Sequence, residues 1–419
     1  MADVRTGKPT RTTVCPGCSC LCDDIEIVLN STGLEFQGAC QRGQECLLAR
    51  SEAPPPAYFV GPSQVSMESA IEAATELLRR AKMPLVTGLS GMGMQHQQSA
   101  LELARRLAGV VDVDANADRA RQFAFQRTGA VTATLGEVRN RAELILFWCF
   151  DPTTSHPRLL ERCRVESKRT IVVGPRDWTN GQADLFIELD PRCCDHALAV
   201  CHAIASHVSL EPKRVFETTK VSISQWQELI QRLLAQQSVA CFMGSNRPEG
   251  YPGQLCYDRL AEWVVRMNRD VRLFCLFPDQ DLNRLAAEDV LTMNTGFPSA
   301  VDLSRKPPAY SFLEHATSTV LARREVDAVV LFTRAGLERL DEAARRYLDE
   351  LPKVILMNRR EWESMEPVAM KASDVRVQVA TLADGDWARM DNVLLPVGGE
   401  AFQNSETEPD FIQTLLRHL

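Results

Sequence analysis

Ten short apolar runs, each four to six residues long, punctuate the sequence from residue 84 onward, at 84–88, 110–113, 144–148, 170–173, 185–188, 239–243, 271–276, 328–332, 354–357 and 375–379. Several are continuous rather than alternating, like LILFW at 144–148, the form a strand takes when both faces of a parallel sheet are covered. Helical stretches lie among them. Residues 67–81 open after Ser66, a good N-cap, and carry apolar side chains at 70, 71, 74, 77 and 78; 98–107, 196–205, 254–267 and 337–348 read similarly. Strand–helix alternation of this kind implies open parallel sheets with helices on both faces. Ten strands and 419 residues suggest two layers rather than one. The expectation is therefore α/β, with two doubly wound, Rossmann-like parallel-sheet domains at 53–215 and 216–419, the chain being free to cross between them.

The first 52 residues follow another pattern and read as a small cysteine-rich β unit. A strand alternates over 23–29, Asn30 to Gly33 is turn chemistry, and a second strand follows near 34–36. Pro54, Pro55 and Pro56 then form a stiff linker.

Charge narrows the function. With 47 Lys+Arg against 55 Asp+Glu, the net charge is −8, which argues against nucleic acid or an anionic membrane as partner. No apolar run of about 18 residues occurs, and the polar start lacks a signal core, so the expected compartment is the cytoplasm.

Six of the 14 cysteines fall within the first 46 residues, and the next after Cys46 is Cys149. Cys15, Cys18, Cys22 and Cys40 give C-x2-C-x3-C-x17-C. Two thiolates two residues apart face one concave loop, and a fourth returning from a hairpin closes the shell. The set suits either a [4Fe–4S] cluster or Zn²⁺, unless the loop keeps its thiols without metal. Cys20 and Cys46 are extra, and Cys20 is able to replace a neighbour as ligand. Most of the other eight sit in apolar runs and read as buried small hydrophobes.

The cysteine spacing ahead of a hairpin and doubly wound domains resembles the molybdopterin and tungstopterin oxidoreductases. Segments 15–26, 134–143, 156–158, 294–298, 304–305, 325–328 and 389–392 look like the B subunit of formylmethanofuran dehydrogenase. That resemblance implies a tungsten- or molybdenum-bispterin protein with one [4Fe–4S] cluster, converting CO2 to formate. A similar subunit serves the bacterial formyltransferase/hydrolase complex, where formyl transfer and hydrolysis involve no redox step.

Several positions depart from the redox pattern. The resemblance places a cysteine or selenocysteine metal ligand in the loop after the strand at 110–113, yet the segment 114–121 holds no thiol. Asp118 is the substitute ligand to consider, although Arg119 and Arg121 beside it pair with it more simply. After 144–148, Cys149 and Phe150 stand where the family tends to have Gly and Asn for close approach to phosphate. Gly174, Pro175 and Arg176 replace Asp-Pro-Arg, and Lys306 to Ala309 replaces a loop carrying an arginine. Asp118, Cys149, Asp151, His156, Arg158, Pro175 and Arg176 are thus residual positions of a pterin site, with no catalytic residue among them and tungstopterin or molybdopterin absent.

The implied function is a structural, non-redox subunit. It would hold hydrolase-type, transferase-type and C/D-type partners in C1 transfer between tetrahydromethanopterin, a methanofuran-like carrier and formate. The alternative is an active tungsten- or molybdenum-pterin component of formylmethanofuran dehydrogenase. Two smaller readings complete the set. The glycine-rich segment 88–93 is a tight turn or a residual anion site, and Asp195 is the N-cap of the helix at 196–205.

Overall fold

The computed structural model describes residues 11–30, 33–51, 55–115, 119–244, 253–278, 283–333, 336–358, 362–363, 369–379, 387–390, 393–396 and 411–419. Its strands are β1 (Arg11–Thr13), β2 (Ile25–Asn30), β3 (Gly33–Gln37), β4 (Ala57–Val60), β5 (Ser63–Val65), β6 (Pro84–Thr87), β7 (Val110–Val111), β8 (Leu144–Trp148), β9 (Arg169–Gly174) and β10 (Leu185–Glu188). They continue as β11 (Ser238–Met243), β12 (Arg272–Leu276), β13 (Val301–Asp302), β14 (Ala309–Tyr310), β15 (Ala328–Leu331), β16 (Lys353–Asn358), β17 (Val375–Val379), β18 (Trp387–Met390) and β19 (Val393–Pro396). All ten apolar runs are strands, the one at 110–113 shortened to Val110–Val111.

The chain divides into two compact units. The first comprises Met1–Ala117, Asp281–Arg389 and Leu394–Leu419; the second is Asp118–Gln280 with Met390–Val393. The boundary expected at 215 falls inside the second unit. There β11 pairs in parallel with β8, Val239 opposite Leu144 through Met243 opposite Trp148, so strands on either side of 215 share one sheet. Nor do residues 1–52 form a separate compact unit. Strands β1, β2 and β3 make their own antiparallel sheet, but this belongs to the first unit. Its hairpin closes with Asn30 opposite Gly33.

The first unit is built on a nine-stranded sheet, order β14-β13-β7-β6-β15-β16-β17-β4-β5. Strands β7, β6, β15, β16 and β17 run parallel, and antiparallel pairs finish both edges. Alternation of side chains along each strand assigns the faces. Val86, Val330, Val354 and Leu356 pack with Ala70, Ile71, Leu101 and Ala104 on one side. Leu85, Val329, Leu331 and Ile355 pack with Leu321 and Leu348 on the other. Helix Met67–Arg80 starts as expected, with the Ser66 hydroxyl accepting from the Ser69 amide.

The second unit carries a five-stranded parallel sheet, order β10-β9-β8-β11-β12. Strand β8 is central and wholly buried, which explains its unbroken apolar sequence. Trp148 packs on Trp226 and Trp263, with ring centroids 6.1 and 5.7 Å away. One local expectation changes. The helix is Cys194–Ala205 with Cys193 at its N-cap position, and Asp195 lies in its first turn. The capping carboxylate is Asp190, which accepts from the Arg192 amide and starts the 3-10 turn Pro191–Cys193. No helix among the described residues is long and apolar enough to cross a membrane.

Candidate functional site

Three places hold the residues that the sequence singles out. The first is the loop between β1 and β2. Cys15, Cys18, Cys20 and Cys22 are buried there, and Cys40 and Cys46 are partly so. The Cys15 amide donates to the Cys22 carbonyl at 2.9 Å, which closes the loop on itself. Two amides face sulfur: Gly17 N–H donates to Cys15 Sγ and Gly43 N–H to Cys40 Sγ, each at 3.4 Å. A side chain on Gly43 would meet Cys15 Sγ at 3.0 Å and Cys40 Sγ at 3.7 Å, so the two sulfurs flank one glycine. Burial pushes the Cys15 thiol up to about 12, with Cys46, Cys22 and Cys18 adding to the effect. A hydrogen bond with Cys20 brings Cys18 down to about 7. Among the described residues no three Cys, His, Asp or Glu side chains converge tightly on one point. The arrangement thus brings Cys15 and Cys40 to either side of Gly43, each with a backbone amide on its sulfur.

The second place is the carboxyl end of the five-stranded sheet. Strand order reverses between β8 and β11, and at such a switch point the loops on either side leave a crevice. A cleft of about 260 Å³ opens there, lined by Cys149, Asp151, Ser155, Arg176, Trp178 and Gly244 among others. Of the residual pterin positions, Cys149, Asp151, Pro175 and Arg176 share this wall. His156 and Arg158 do not line it. His156 is buried, with Nδ1 2.8 Å from Ser155 Oγ and its ring 5.7 Å from that of Phe150. Arg158 is turned onto Glu161, at 3.0 and 2.6 Å. Asp118 lies outside the described residues.

The chemistry of the cleft is mixed. Asp151 accepts from the Thr153 amide at 2.9 Å and pairs with Arg176. Burial raises the Asp151 carboxyl, but hydrogen bonds from Thr153 and Arg176 outweigh this and hold it below the usual carboxylate range. Cys149 has a φ of 48°, a left-handed conformation that costs a residue with a side chain about 1–2 kcal/mol. Its neighbour Phe150 packs over Phe147 and Phe242, with centroids 6.4 and 6.3 Å away. Gly244 is required by close approach, since a Cβ there would lie 2.2 Å from the Cys149 carbonyl oxygen. Trp178 and Gly244 are among the wall residues that sequence reasoning missed, with Thr154, Ser155, Pro191 and Pro278. A glycine directly after the apolar run at 239–243 was the available signal for one; Trp178 offers none.

The third place is the switch point of the nine-stranded sheet, between β6 and β15. Here two buried carboxylates are held by neighbouring groups. Asp112 accepts from the Ala300 amide at 3.1 Å and from the amide and hydroxyl of Thr317 at 2.8 and 2.9 Å. Asp114 accepts from Ser90 Oγ at 2.8 Å and Arg284 Nε at 3.2 Å, with both members of the ion pair buried. Gly88, at φ 85°, lets the 88–93 turn press against Thr333; a Cβ would sit 2.7 Å from its amide nitrogen. A tight turn accounts for the glycine.

No family model matches the chain. It is 27% identical over 370 residues to the B subunit of the tungsten-containing formylmethanofuran dehydrogenase 2 of Methanococcus maripaludis, covering 82% of this chain and 83% of that protein. Its counterpart in Methanocaldococcus jannaschii is 28% identical over 379 residues, covering 83% and 84%. The chain is thus similar over most of its length to formylmethanofuran dehydrogenase B subunits. The fold agrees with that kinship. A chain of the formyltransferase/hydrolase complex (FhcABCD) from Methylorubrum extorquens, solved with methylofuran, superposes with a TM-score of 0.67 at 19% identity, covering 86% of this chain and 97% of that one. Acetylene hydratase from Pelobacter acetylenicus gives 0.58 at 11% identity, covering 98% and 68%. The chain thus shares the α/β fold of these two structures.

Among the described residues, the segment after β7 offers a dithiolene-held metal no soft donor. It has no thiol, and its two carboxylates accept hydrogen bonds from Thr317, Ser90 and Arg284. A soft metal selects soft donors.

Proposed function

We propose that this chain is the B-like subunit of a cytoplasmic formyltransferase/hydrolase-type complex in one-carbon metabolism. It performs no redox step itself and holds hydrolase-type, transferase-type and C/D-type subunits around formyl transfer between tetrahydromethanopterin and a methanofuran-like carrier. The donor chemistry after β7 carries this reading. The sequence has no cysteine from residue 47 to 148, and Asp112 and Asp114 are committed to Thr317, Ser90 and Arg284. Kinship with two dehydrogenase subunits of the same type supports the assembly role. The N-terminal thiols Cys15, Cys18, Cys22 and Cys40 would hold a [4Fe–4S] cluster or zinc; either would staple the loop, and only iron–sulfur would also relay electrons.

The second reading, an active tungsten- or molybdenum-pterin protein, draws support from the tungsten in both relatives' names and requires Asp118 as ligand. Elemental analysis of the purified complex separates the two. Expected are iron or zinc with no tungsten or molybdenum; tungsten or molybdenum near one per chain would overturn the structural role. Replacing Cys15 or Cys40 by Ser should remove the iron or zinc, and retention in both variants would remove these ligands from the assignment.

A further inference from the structure

Outside the N-terminal loop, the second unit gathers its own cysteines. Cys194 is the first residue of helix Cys194–Ala205, and Cys256 lies in the first turn of helix Gly253–Met267, which packs against it. Their sulfurs are 3.0 Å apart, and both side chains are buried. A disulfide requires about 2.05 Å, so closure needs an approach of about one ångström by two side chains already facing each other. A third group distinguishes this pair. The indole N–H of Trp148 donates to Cys194 Sγ at 3.0 Å. A donor on sulfur favours the thiolate, the form that attacks oxidants, and so opposes the burial that holds the proton on Cys194. Cys194 also keeps 4% of its surface exposed against none for Cys256. The attacking sulfur is therefore Cys194 and the resolving one Cys256.

We infer that Cys194 and Cys256 form an oxidisable dithiol, a modification site at which a peroxide closes a disulfide between the two helices. Cys194, as thiolate, attacks one oxygen of hydrogen peroxide and expels hydroxide, leaving a sulfenic acid. Cys256 then attacks that sulfur, its proton leaving with the displaced hydroxyl as water. The hydroxide takes up the proton that Cys194 had lost. Two sulfurs give up two electrons, and peroxide becomes two waters. Cys241 and Cys275, opposite each other on β11 and β12, are the nearby alternative, and Cys193 is the adjacent one.

The test uses the full-length chain with whatever subunits copurify. It is exposed to hydrogen peroxide, alkylated, digested without reductant and mapped by mass spectrometry. The expected product joins the peptides holding Cys194 and Cys256, lighter by two hydrogen atoms and separated by dithiothreitol. Quenching of indole emission should accompany it and reverse with the same reductant. Cys256→Ser should abolish the linked peptide and leave Cys194 as sulfenic or sulfinic acid, while Cys201→Ala should leave the linkage intact. A native-state linkage at Cys241–Cys275 or Cys193–Cys194 instead, or thiols at 194 and 256 that stay alkylatable throughout, would overturn the site. Because the wild-type map decides the question, a variant that fails to fold does not blunt it.

Discussion

The two parallel sheets each present a switch point at their carboxyl ends, and the two have been finished differently. After β6 and β7, buried Asp112 and Asp114 are tied down by backbone amides, hydroxyls and Arg284. After β8 and β9, Asp151 pairs with Arg176, which is 67% exposed, beside a cleft of about 260 Å³. Among the described residues, one switch point thus has its carboxylates tied to neighbouring side chains, and the other borders an open cleft. The fold supplies the position of a site, and the side chains decide whether a ligand has room there.

This contrast can be broken from its strongest side first. Arg284→Met strands a buried carboxylate at Asp114 and is expected to cost about 3–5 kcal/mol by chemical denaturation. A cost below about 1 kcal/mol would mean that the first switch point is held no more tightly than the second. Gly244→Ala drives a methyl group into the Cys149 carbonyl, with an expected loss of about 1–3 kcal/mol. Cys149→Gly tests the backbone of the same turn. By relieving a φ of 48° it should stabilise the protein by about 1 kcal/mol in chemical denaturation, and a loss of stability would show that the thiol's packing outweighs the strain.

Asp151→Ala removes both a helix cap and a pairing with Arg176, for about 1 kcal/mol near neutral pH. Its carboxyl is held below the unfolded value of about 3.9. The stabilisation is therefore complete above that value and fades as pH falls through the lower folded one. The gap between variant and parent should accordingly close in acid; a gap that widens there contradicts the sign. Arg176→Ala is the smallest change, under about 1 kcal/mol, because an exposed partner contributes little.

Much of this was legible in the residues. LILFW announces a strand buried on both faces, and Ser66 announces the helix start seen at Met67. The unit boundary was not, because β8 joins β11 through registers that no local pattern encodes. The edges of the larger sheet hid for a related reason: β13 and β14 are two residues each, too short for any period to show. At the sites, the C-x2-C-x3-C spacing named the loop in advance. The left-handed turn at Cys149 was invisible, since a cysteine gives no hint of positive φ, and the Cys194–Cys256 contact required two helices to meet. Asp195 was misplaced as a cap because the turn begun by Asp190 starts the helix earlier.

The interrupted course of the first unit has a consequence for biogenesis. Strands β6 and β7 leave the ribosome early, but β15, which pairs with β6, arrives only after all of 118–280 has been made. The second unit is nearly continuous in sequence and can complete its sheet while the first still awaits half its strands. During that interval the edge of β6, apolar on both faces, is exposed to other nascent chains. Synthesis rate and chaperone supply, rather than final stability, should then govern how much of this polypeptide reaches its assembled form.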